Sequence, residues 1–347
     1  MKRFNNILLI ALGVVLASCT KAPIGGDGSL PKGAATITIQ MPKQPDLPLY
    51  DEAIEAIKNL KIFLFDPSTK ALEKVFTISR PYDVTGDAFW NNATATLIIK
   101  DLENPANPRI VYVVANWYKS STELAKITNL DQLEATITDL SGQPITTEPL
   151  LMSGKTTHTF SSAKALTVKV KRQAVRIELT VALDPKFTAA YPNLWMGAVN
   201  DNLPSAELRN APNQSYLCEQ TTPALPAGNT MFNYPTVDMR QEGMMGITRT
   251  WHATFYVYEN PVSGPDDTNA TYIIMKLPYK DGTEATVTEN YYKFKISTAD
   301  AANPHATRRN KLYNLTATVL GFGKSTNSRS SIDDIPVIET TTTQIDL

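Results

Sequence analysis

The chain offers few residues whose type and spacing could support catalysis or metal binding. It has three histidines, and none has a second histidine or a cysteine at the spacing of a metal site: His158, His252 and His305. Ser153-Gly154 lacks the Gly-x-Ser-x-Gly pattern of a nucleophile elbow. Asp266-Asp267 lies in a loop of glycine, proline and asparagine, where a solvated turn is favoured over a calcium site. The sequence therefore predicts no catalytic residue, no metal site and no cofactor.

Cys19 is the residue with the clearest chemistry, because it follows an export signal. A basic start precedes an apolar run, Ile7 to Leu16, that is too short to span a bilayer comfortably. The four residues that end at Cys19, Leu-Ala-Ser-Cys, resemble the lipobox of bacterial lipoproteins. This resemblance implies that residues 1–18 are a signal peptide and that Cys19 is lipidated after cleavage. A soluble secreted protein with an incidental cysteine is the alternative. Residues 19–33 are predicted to be a flexible tether.

Composition excludes several other classes of protein. The chain has 347 residues, of which 19% are charged and 42% hydrophobic, and its formal net charge is −1. This balance gives no electrostatic footprint for nucleic acid and no polybasic patch for anionic membranes. Once Cys19 carries lipid, Cys218 is the remaining thiol, so no disulfide framework is expected. Cys218 is predicted to be a small buried hydrophobe, with an intersubunit disulfide as the alternative.

Alternation of apolar and polar residues predicts strands along most of the chain. Ala35 to Met41 alternates strictly, with Ile37 and Ile39 on the same face as Met41. The longest such run is Leu166 to Leu183, and its alternation slips by one residue near positions 171–174. Such a slip predicts a bulge or a passage from one sheet to another. Residues 185–245 are rich in proline, asparagine and glycine and are predicted to be irregular.

Many short strands with little helix predict an all-β protein, and the length suggests two β-sandwich domains. The domains are predicted to be residues 34–170 and 171–323. Residues 324–347 are predicted to be a linker and a C-terminal extended tail.

Seven stretches, spread over nearly the whole chain, together resemble the fimbrillin family of Bacteroidales-type lipoprotein pilins. They are the lipobox at Cys19, Asn59 to Asp66, Val111 to Asn116, Leu151 to Gly154, Lys171 to Leu179, Phe255 to Asn260 and Tyr313 to Val319. The resemblance implies two tandem transthyretin-like β-sandwich domains with a C-terminal extension strand. It also implies a non-enzymatic structural subunit of surface fimbriae, first anchored in the outer membrane through lipid on Cys19.

The family's assembly mechanism, donor-strand exchange, is implied with the resemblance. A protease removes the first strand of the N-terminal domain, and a strand from a neighbouring subunit fills the groove. Cleavage is expected between Lys43 and Gln44. The removable strand would carry the inward residues Ala35, Ile37, Ile39 and Met41. The donor strand would be the tail, anchored by Ile335, Val337, Ile345 and Leu347. The partners of the protein in the fibre would be copies of itself or other fimbrial subunits.

Two departures from the family leave alternatives open. The best-known members are cut after arginine, whereas no arginine lies between Arg3 and Arg80. The central tail residues Glu339 and Thr341 fill an apolar groove poorly, and Pro336 removes a ladder hydrogen bond. These departures leave shaft, tip or accessory, and anchor roles open, and a shaft or tip subunit is favoured because an anchor has less need of a trailing strand. The alternative function is a monomeric outer-membrane surface lipoprotein that anchors fimbriae or binds a glycan or protein receptor on a host or bacterial surface.

Overall fold

Strands dominate the structure. This computed structural model describes residues 30, 33–40, 57–79, 88–90, 94–145, 150–197, 202–242, 250–264, 268–282, 286–323 and 338–346. Within these residues there are three short helices: α1 (Ser121–Ala125), α2 (Leu130–Glu134) and α3 (Pro185–Ala190). The prediction of an all-β fold is confirmed.

The first half of the chain forms two facing sheets, which we call the N-terminal sandwich. Its strands are β1 (Ala35–Gln40), β2 (Asn59–Phe65), β3 (Leu72–Ser79), β4 (Ala88–Trp90), β5 (Thr94–Ile99), β6 (Arg109–Ala115), β7 (Ile137–Asp139), β8 (Met152–His158), β9 (Ala165–Lys169) and β10 (Lys171–Arg172). One sheet has the order β4-β5-β1-β9 and the other β10-β8-β6-β2-β3. Alternate side chains of both sheets meet in one apolar core, which includes Ile37, Leu60 and Val113.

The second half forms the C-terminal sandwich. Its strands are β11 (Ala174–Leu183), β12 (Leu194–Met196), β13 (Ser205–Arg209), β14 (Ala211–Pro212), β15 (Gln214–Tyr216), β16 (Met231–Phe232), β17 (Val237–Asp238), β18 (Arg240–Glu242), β19 (Thr250–Tyr258), β20 (Tyr272–Asp281), β21 (Thr288–Lys295), β22 (Lys311–Val319) and β23 (Ile338–Asp346). One sheet has the order β18-β19-β11-β22-β23. The other has the order β12-β20-β13-β17, with β21 also paired to β20.

Much of residues 185–245 is ordered into short strands, so the prediction of an irregular region was wrong there. Strands β12 to β18 and helix α3 all lie in this segment. These strands are too short to show a period in the sequence, and pairing with longer strands defines them. Ala206 and Leu208 of β13, for example, pair with β20 and are fully buried in the core.

The chain passes from one sandwich to the other between Arg172 and Ala174, where the alternation slips in the sequence. Strand β10 pairs with β8 of the N-terminal sandwich, and β11 starts the first sheet of the C-terminal one. The residue between them bridges the two, since the Gln173 amide donates to the Thr138 hydroxyl at 2.6 Å and to the Tyr216 carbonyl at 2.7 Å.

Residues 214–218, a segment of the C-terminal half, pair and pack against the N-terminal sandwich. We call this segment the clamp. Its strand β15 pairs antiparallel with β7. Leu217 and Cys218 then enter an apolar cluster on the outer face of the second N-terminal sheet, with Phe63, Tyr112 and Leu133, and both are fully buried. The two sandwiches are therefore joined by packing and backbone pairing as well as by the peptide chain.

Candidate assembly site

Strand β1 lies between two partners in its sheet. It pairs antiparallel with β5, from Ala35 opposite Ile99 to Gln40 opposite Thr94. On its other side it pairs parallel with β9. Two further backbone bonds close the parallel side, from the Thr36 amide to the Lys164 carbonyl at 2.7 Å and from the Val170 amide to the Gln40 carbonyl at 3.0 Å.

The inward side chains of β1 fill the centre of the N-terminal core. Ile37 and Ile39 are fully buried, and Ala35 is 1% exposed. Burying an isoleucine side chain contributes about 1.5–3 kcal/mol, so this strand supplies a substantial part of the core. Of the outward residues, Thr36 and Thr38 are half-buried and Gln40 is exposed, and the hydroxyls of Thr38 and Thr96 lie 3.3 Å apart across the β1–β5 pair.

Removal of β1 would leave a strand-shaped gap. The neighbours β5 and β9 would each expose a row of unpaired backbone N–H and C=O groups, because β1 is their common partner. The floor of the gap would be apolar, formed by side chains of the facing sheet such as Leu60, Ile62 and Val113. Such a groove can bind an extended segment of another chain through backbone bonds and alternate side-chain pockets.

The tail is an edge strand. Strand β23 pairs antiparallel with β22 over its 9 residues, from Ile338 opposite Val319 to Asp346 opposite Lys311. It lies at the end of its sheet, with β22 as its single partner in the described part of the chain. Among its side chains, Thr342 is half-buried and Thr343 is exposed. This strand is therefore held by one ladder, whereas β1 is held by two.

The structure places the predicted assembly residues as follows. Ala35, Ile37 and Ile39 lie on the buried face of β1, and Ile345 pairs with Leu312 within the β22–β23 ladder. The remaining predicted positions lie outside the described residues: Cys19, Met41, Lys43, Gln44, Ile335, Val337 and Leu347.

The described residues contain no candidate metal site. They contain no group of three or more histidine, cysteine or acidic residues that could hold a metal ion. Each histidine ring has a structural contact. His158 Nε2 lies 2.8 Å from the Ala163 carbonyl oxygen, His252 Nδ1 lies 3.0 Å from the Thr180 hydroxyl, and His305 Nδ1 lies 3.1 Å from the Ile296 carbonyl oxygen.

Cys218 is fully buried in the clamp, as predicted for a small hydrophobe. Its thiol lies 3.6 Å from the Leu133 carbonyl oxygen, and burial raises the pKa of this thiol to about 12. A protonated, inaccessible thiol reacts slowly, so the structure argues against the alternative of an intersubunit disulfide. The clamp itself could not be predicted from alternation, because two adjacent apolar residues, Leu217 and Cys218, carry no period.

Among the helices of the described residues, none combines the length and the apolar character needed to cross a membrane.

Comparisons with known proteins agree with this architecture. Residues 50–183 match the family model of the major fimbrial subunit protein (FimA), a family of structural subunits and not of enzymes. The comparison with curated proteins gave no match.

Solved structures with the same fold include cell adhesion and fimbrial proteins. A proposed cell adhesion protein from Bacteroides eggerthii superposes with a TM-score of 0.58 at 20% identity, over 91% of this chain and 97% of that one. A fimbrilin (FimA) from Porphyromonas gingivalis gives 0.56 at 15% identity, over 89% and 96%. The tip fimbrial protein Mfa3 of the same species, with a C-terminal truncation, gives 0.51 at 14% identity, over 90% and 100%. At these identities the likeness shows the fold.

The resemblance to fimbrillin-type pilins is therefore confirmed over residues 50–183 by the FimA family match, and nearly the whole chain shares its fold with these solved structures.

Proposed function

We propose that the protein is a shaft or tip subunit of surface fimbriae that is exported as a lipoprotein and assembles by donor-strand exchange. Lipid on Cys19 anchors the precursor in the outer membrane. A protease then cuts between Lys43 and Gln44, and β1 leaves. The tail of a neighbouring subunit, a copy of this chain or another fimbrial subunit, takes its place. In this proposal the two domains are residues 34–170 and 171–323.

The position of β1 carries the proposal. It is the first of the described strands, yet it lies in the interior of its sheet with two fully buried isoleucines. A single cut after it therefore separates a central strand from the rest of the sandwich. No other interior strand among those described could be released by one cut, because each is tethered at both ends.

The tail suits the role of the donor because it is weakly held. It has one backbone ladder, and four consecutive threonines form its centre: Thr340, Thr341, Thr342 and Thr343. Threonine favours extended backbone but offers little apolar surface. In the groove, the flanking Ile335, Val337, Ile345 and Leu347 would supply the buried contacts. When the tail leaves β22 and inserts between β5 and β9, it replaces one backbone ladder with two.

The test is the N-terminal sequence and intact mass of the protein taken from the native cell surface. A start at Gln44 is expected for the assembled subunit. A truncation lacking residues 335–347 should still be exported but should form no high-mass polymers. A lipidated start at Cys19 in the assembled material, or unchanged polymers after truncation, would overturn the proposal.

One observation favours a second candidate, a monomeric surface lipoprotein that serves as an anchor or adhesin. The tail pairs with its own chain and covers the β22 edge along 9 residues. A protein that never exchanged strands would keep this arrangement. In that case the mature protein would keep Cys19, and the truncated chain would lose stability without any change in assembly.

A further inference from the structure

The C-terminal sandwich has one end that faces away from the N-terminal sandwich. Strands β11 and β22 are parallel, so both begin near the other sandwich and both finish at this far end, with Leu183 opposite Val319. Near their starts lie the contacts with the first half of the chain. The backbone amide of Arg172 in β10, for example, donates to the side-chain oxygen of Asn310 at 2.9 Å. At about 3.3 Å per residue, the far end lies about 30 Å beyond that contact.

Four aromatic rings cluster at this far end, and we call them the aromatic pole: Phe187, Tyr191, Tyr279 and Phe322. The ring of Phe322 lies 5.3 Å from Phe187, 5.2 Å from Tyr191 and 5.2 Å from Tyr279, measured between centroids. Phe187 and Tyr191 also touch, at 5.4 Å. The cluster is therefore one contiguous surface.

This surface is partly open to solvent. Tyr191 is 46% exposed and Phe322 is 37% exposed, whereas Phe187 beneath them is 6% exposed. Trp195, which is 37% exposed, pairs in β12 with Lys280, the residue after Tyr279. Exposed aromatic groups of this density are typical of interface cores, where they are enriched over other surface residues.

The chain leaves the aromatic pole at a fixed point. The Tyr292 hydroxyl donates to the Gly321 carbonyl at 3.0 Å. Gly323 lies so close to β21 that an added Cβ would come within 2.5 Å of the Tyr291 carbonyl oxygen. The chain therefore reaches residue 323, next to Phe322, along a backbone that packs closely against β21.

We infer that the aromatic pole is the surface on which the N-terminal sandwich of the next copy of this chain docks. The inference rests on the proposed function. A subunit that receives the tail in its groove is tied to residue 323, beside the aromatic pole, and this end is free of the chain's own N-terminal sandwich. The tail supplies the link between subunits, and the aromatic pole supplies a second contact that fixes their relative orientation.

The experiment compares thiol labelling in monomers and in fibres. After loss of residues 1–43, the one natural thiol is Cys218, which is buried. Ala190 is exposed at the end of α3, next to Tyr191, so the A190C variant reports on the aromatic pole without disturbing it. Val237 of β17, which is 37% exposed in the same sandwich, provides the control variant V237C. In fibres, labelling of A190C should fall about tenfold or more, because side chains in an interface core are closed to solvent. V237C should label equally in both states.

A second pair of variants tests whether the contact contributes energy. The double variant Y191S/F322S removes two exposed rings, and fibre formation should weaken by about tenfold or more. The monomer of this double variant should have a melting temperature close to that of the unmodified protein. If its melting temperature is lower, the single variant Y191S is tested instead. The matched control V237S should assemble normally.

The outcomes separate the two proposals. Equal labelling of A190C in monomers and fibres, or normal assembly of the aromatic variants, would overturn the inference while strand exchange stands. Failure of the processed, unmodified protein to polymerise would overturn both.

Discussion

Strands β1 and β11 hold the same position in the two sandwiches. Each lies between an antiparallel neighbour from the middle of its domain and a parallel neighbour from the end of it. Ile37 of β1 pairs with Leu97 and Leu166, and Ile177 of β11 pairs with Phe255 and Tyr313. Both isoleucines are fully buried. The two halves of the molecule thus repeat one arrangement of strands.

The difference lies in how the two strands are held. Strand β1 has 6 residues and stands at the start of the fold, whereas β11 has 10 residues and continues directly into α3. The parallel neighbour of β1, strand β9, is a sheet edge among the described strands, whereas that of β11 is covered by β23. A strand in this position can therefore be replaceable, as proposed for β1, or permanent, as for β11. Which it is depends on how the strand is connected to the chain and on whether its parallel neighbour is a sheet edge.

The largest effect is expected from a buried charge at the two equivalent positions. Ile37→Asp and Ile177→Asp should each cost more than about 4 kcal/mol, because an unpaired carboxylate would enter an apolar core. I37D should open the N-terminal sandwich and leave a protease-resistant C-terminal fragment, and I177D should do the reverse. Limited proteolysis with mass spectrometry of the fragments tests this. Thr36→Asp, on the outward face, should digest like the unmodified protein. Identical fragments from both isoleucine variants would refute independent cores.

The next effect concerns the contacts that join the two sandwiches around the clamp, which we call the seam. Arg309 is buried, its Nε donates to Glu259 Oε1 at 2.7 Å, and Nη2 donates to the Ser215 hydroxyl of the clamp at 3.2 Å. Arg309→Met leaves the Glu259 carboxylate buried and unpaired, at a cost of about 3–5 kcal/mol. We expect the thermal unfolding transition to split into two, measured by calorimetry.

The exposed ion pair of Lys171 and Glu219 provides the control for that variant. Both side chains are about half exposed, so Lys171→Met should change stability by less than about 1 kcal/mol. A single transition in R309M, shifted no further than in K171M, would contradict the role of the seam.

A mild pair of substitutions sharpens the comparison after maturation. Ile37→Val and Ile177→Val should each lower the free energy of unfolding of the precursor by about 0.5–1.5 kcal/mol. In the mature, assembled subunit the I37V effect should vanish, because β1 has left, while the I177V effect persists. Denaturant unfolding of both forms measures this. A persistent I37V effect in fibres would mean that β1 stays in place.

The effect that is smallest at neutral pH, because it develops only above pH 9, is a pH dependence from the Cys218 thiol. Its pKa rises from 9.0 to about 12 on folding, because burial disfavours the thiolate. Above pH 9 the unfolded state loses this proton and the folded state keeps it, so stability falls as pH rises and reaches its full loss near pH 12. Relative to Cys218→Ala, the unmodified protein should lose up to about 1.4 kcal/mol per pH unit in that window. Parallel stability curves for the two proteins between pH 9 and pH 12 would show that the clamp admits water.

Sequence alternation was sufficient to predict β1 and the passage near position 173, because the runs that carry them have several β-branched residues in strict period. It was insufficient for β8, whose Met152–His158 is polar and carries no apolar face, and for the short strands between 185 and 245. It could show that the tail is extended but not that it pairs with β22, since a sheet edge exists only after the domain has folded. The clamp and the aromatic pole escaped for the same reason, as their partners lie up to 154 residues away, in the case of Leu217 and Phe63.

The clamp has a mechanical consequence for a protein that works under tension. In a fibre, a pull would enter each subunit at the groove of the N-terminal sandwich and leave at residue 323, so the whole load would cross the seam. If only the backbone joined the two sandwiches, the load would pass through the single chain segment at Gln173. The β7–β15 ladder and the buried Leu217 run beside that link and share the load, and Arg309 ties the clamp to the C-terminal sandwich through the Ser215 hydroxyl. Stretching would then have to shear several bonds at once, and the subunit would yield in a single step at high force instead of hinging open at low force.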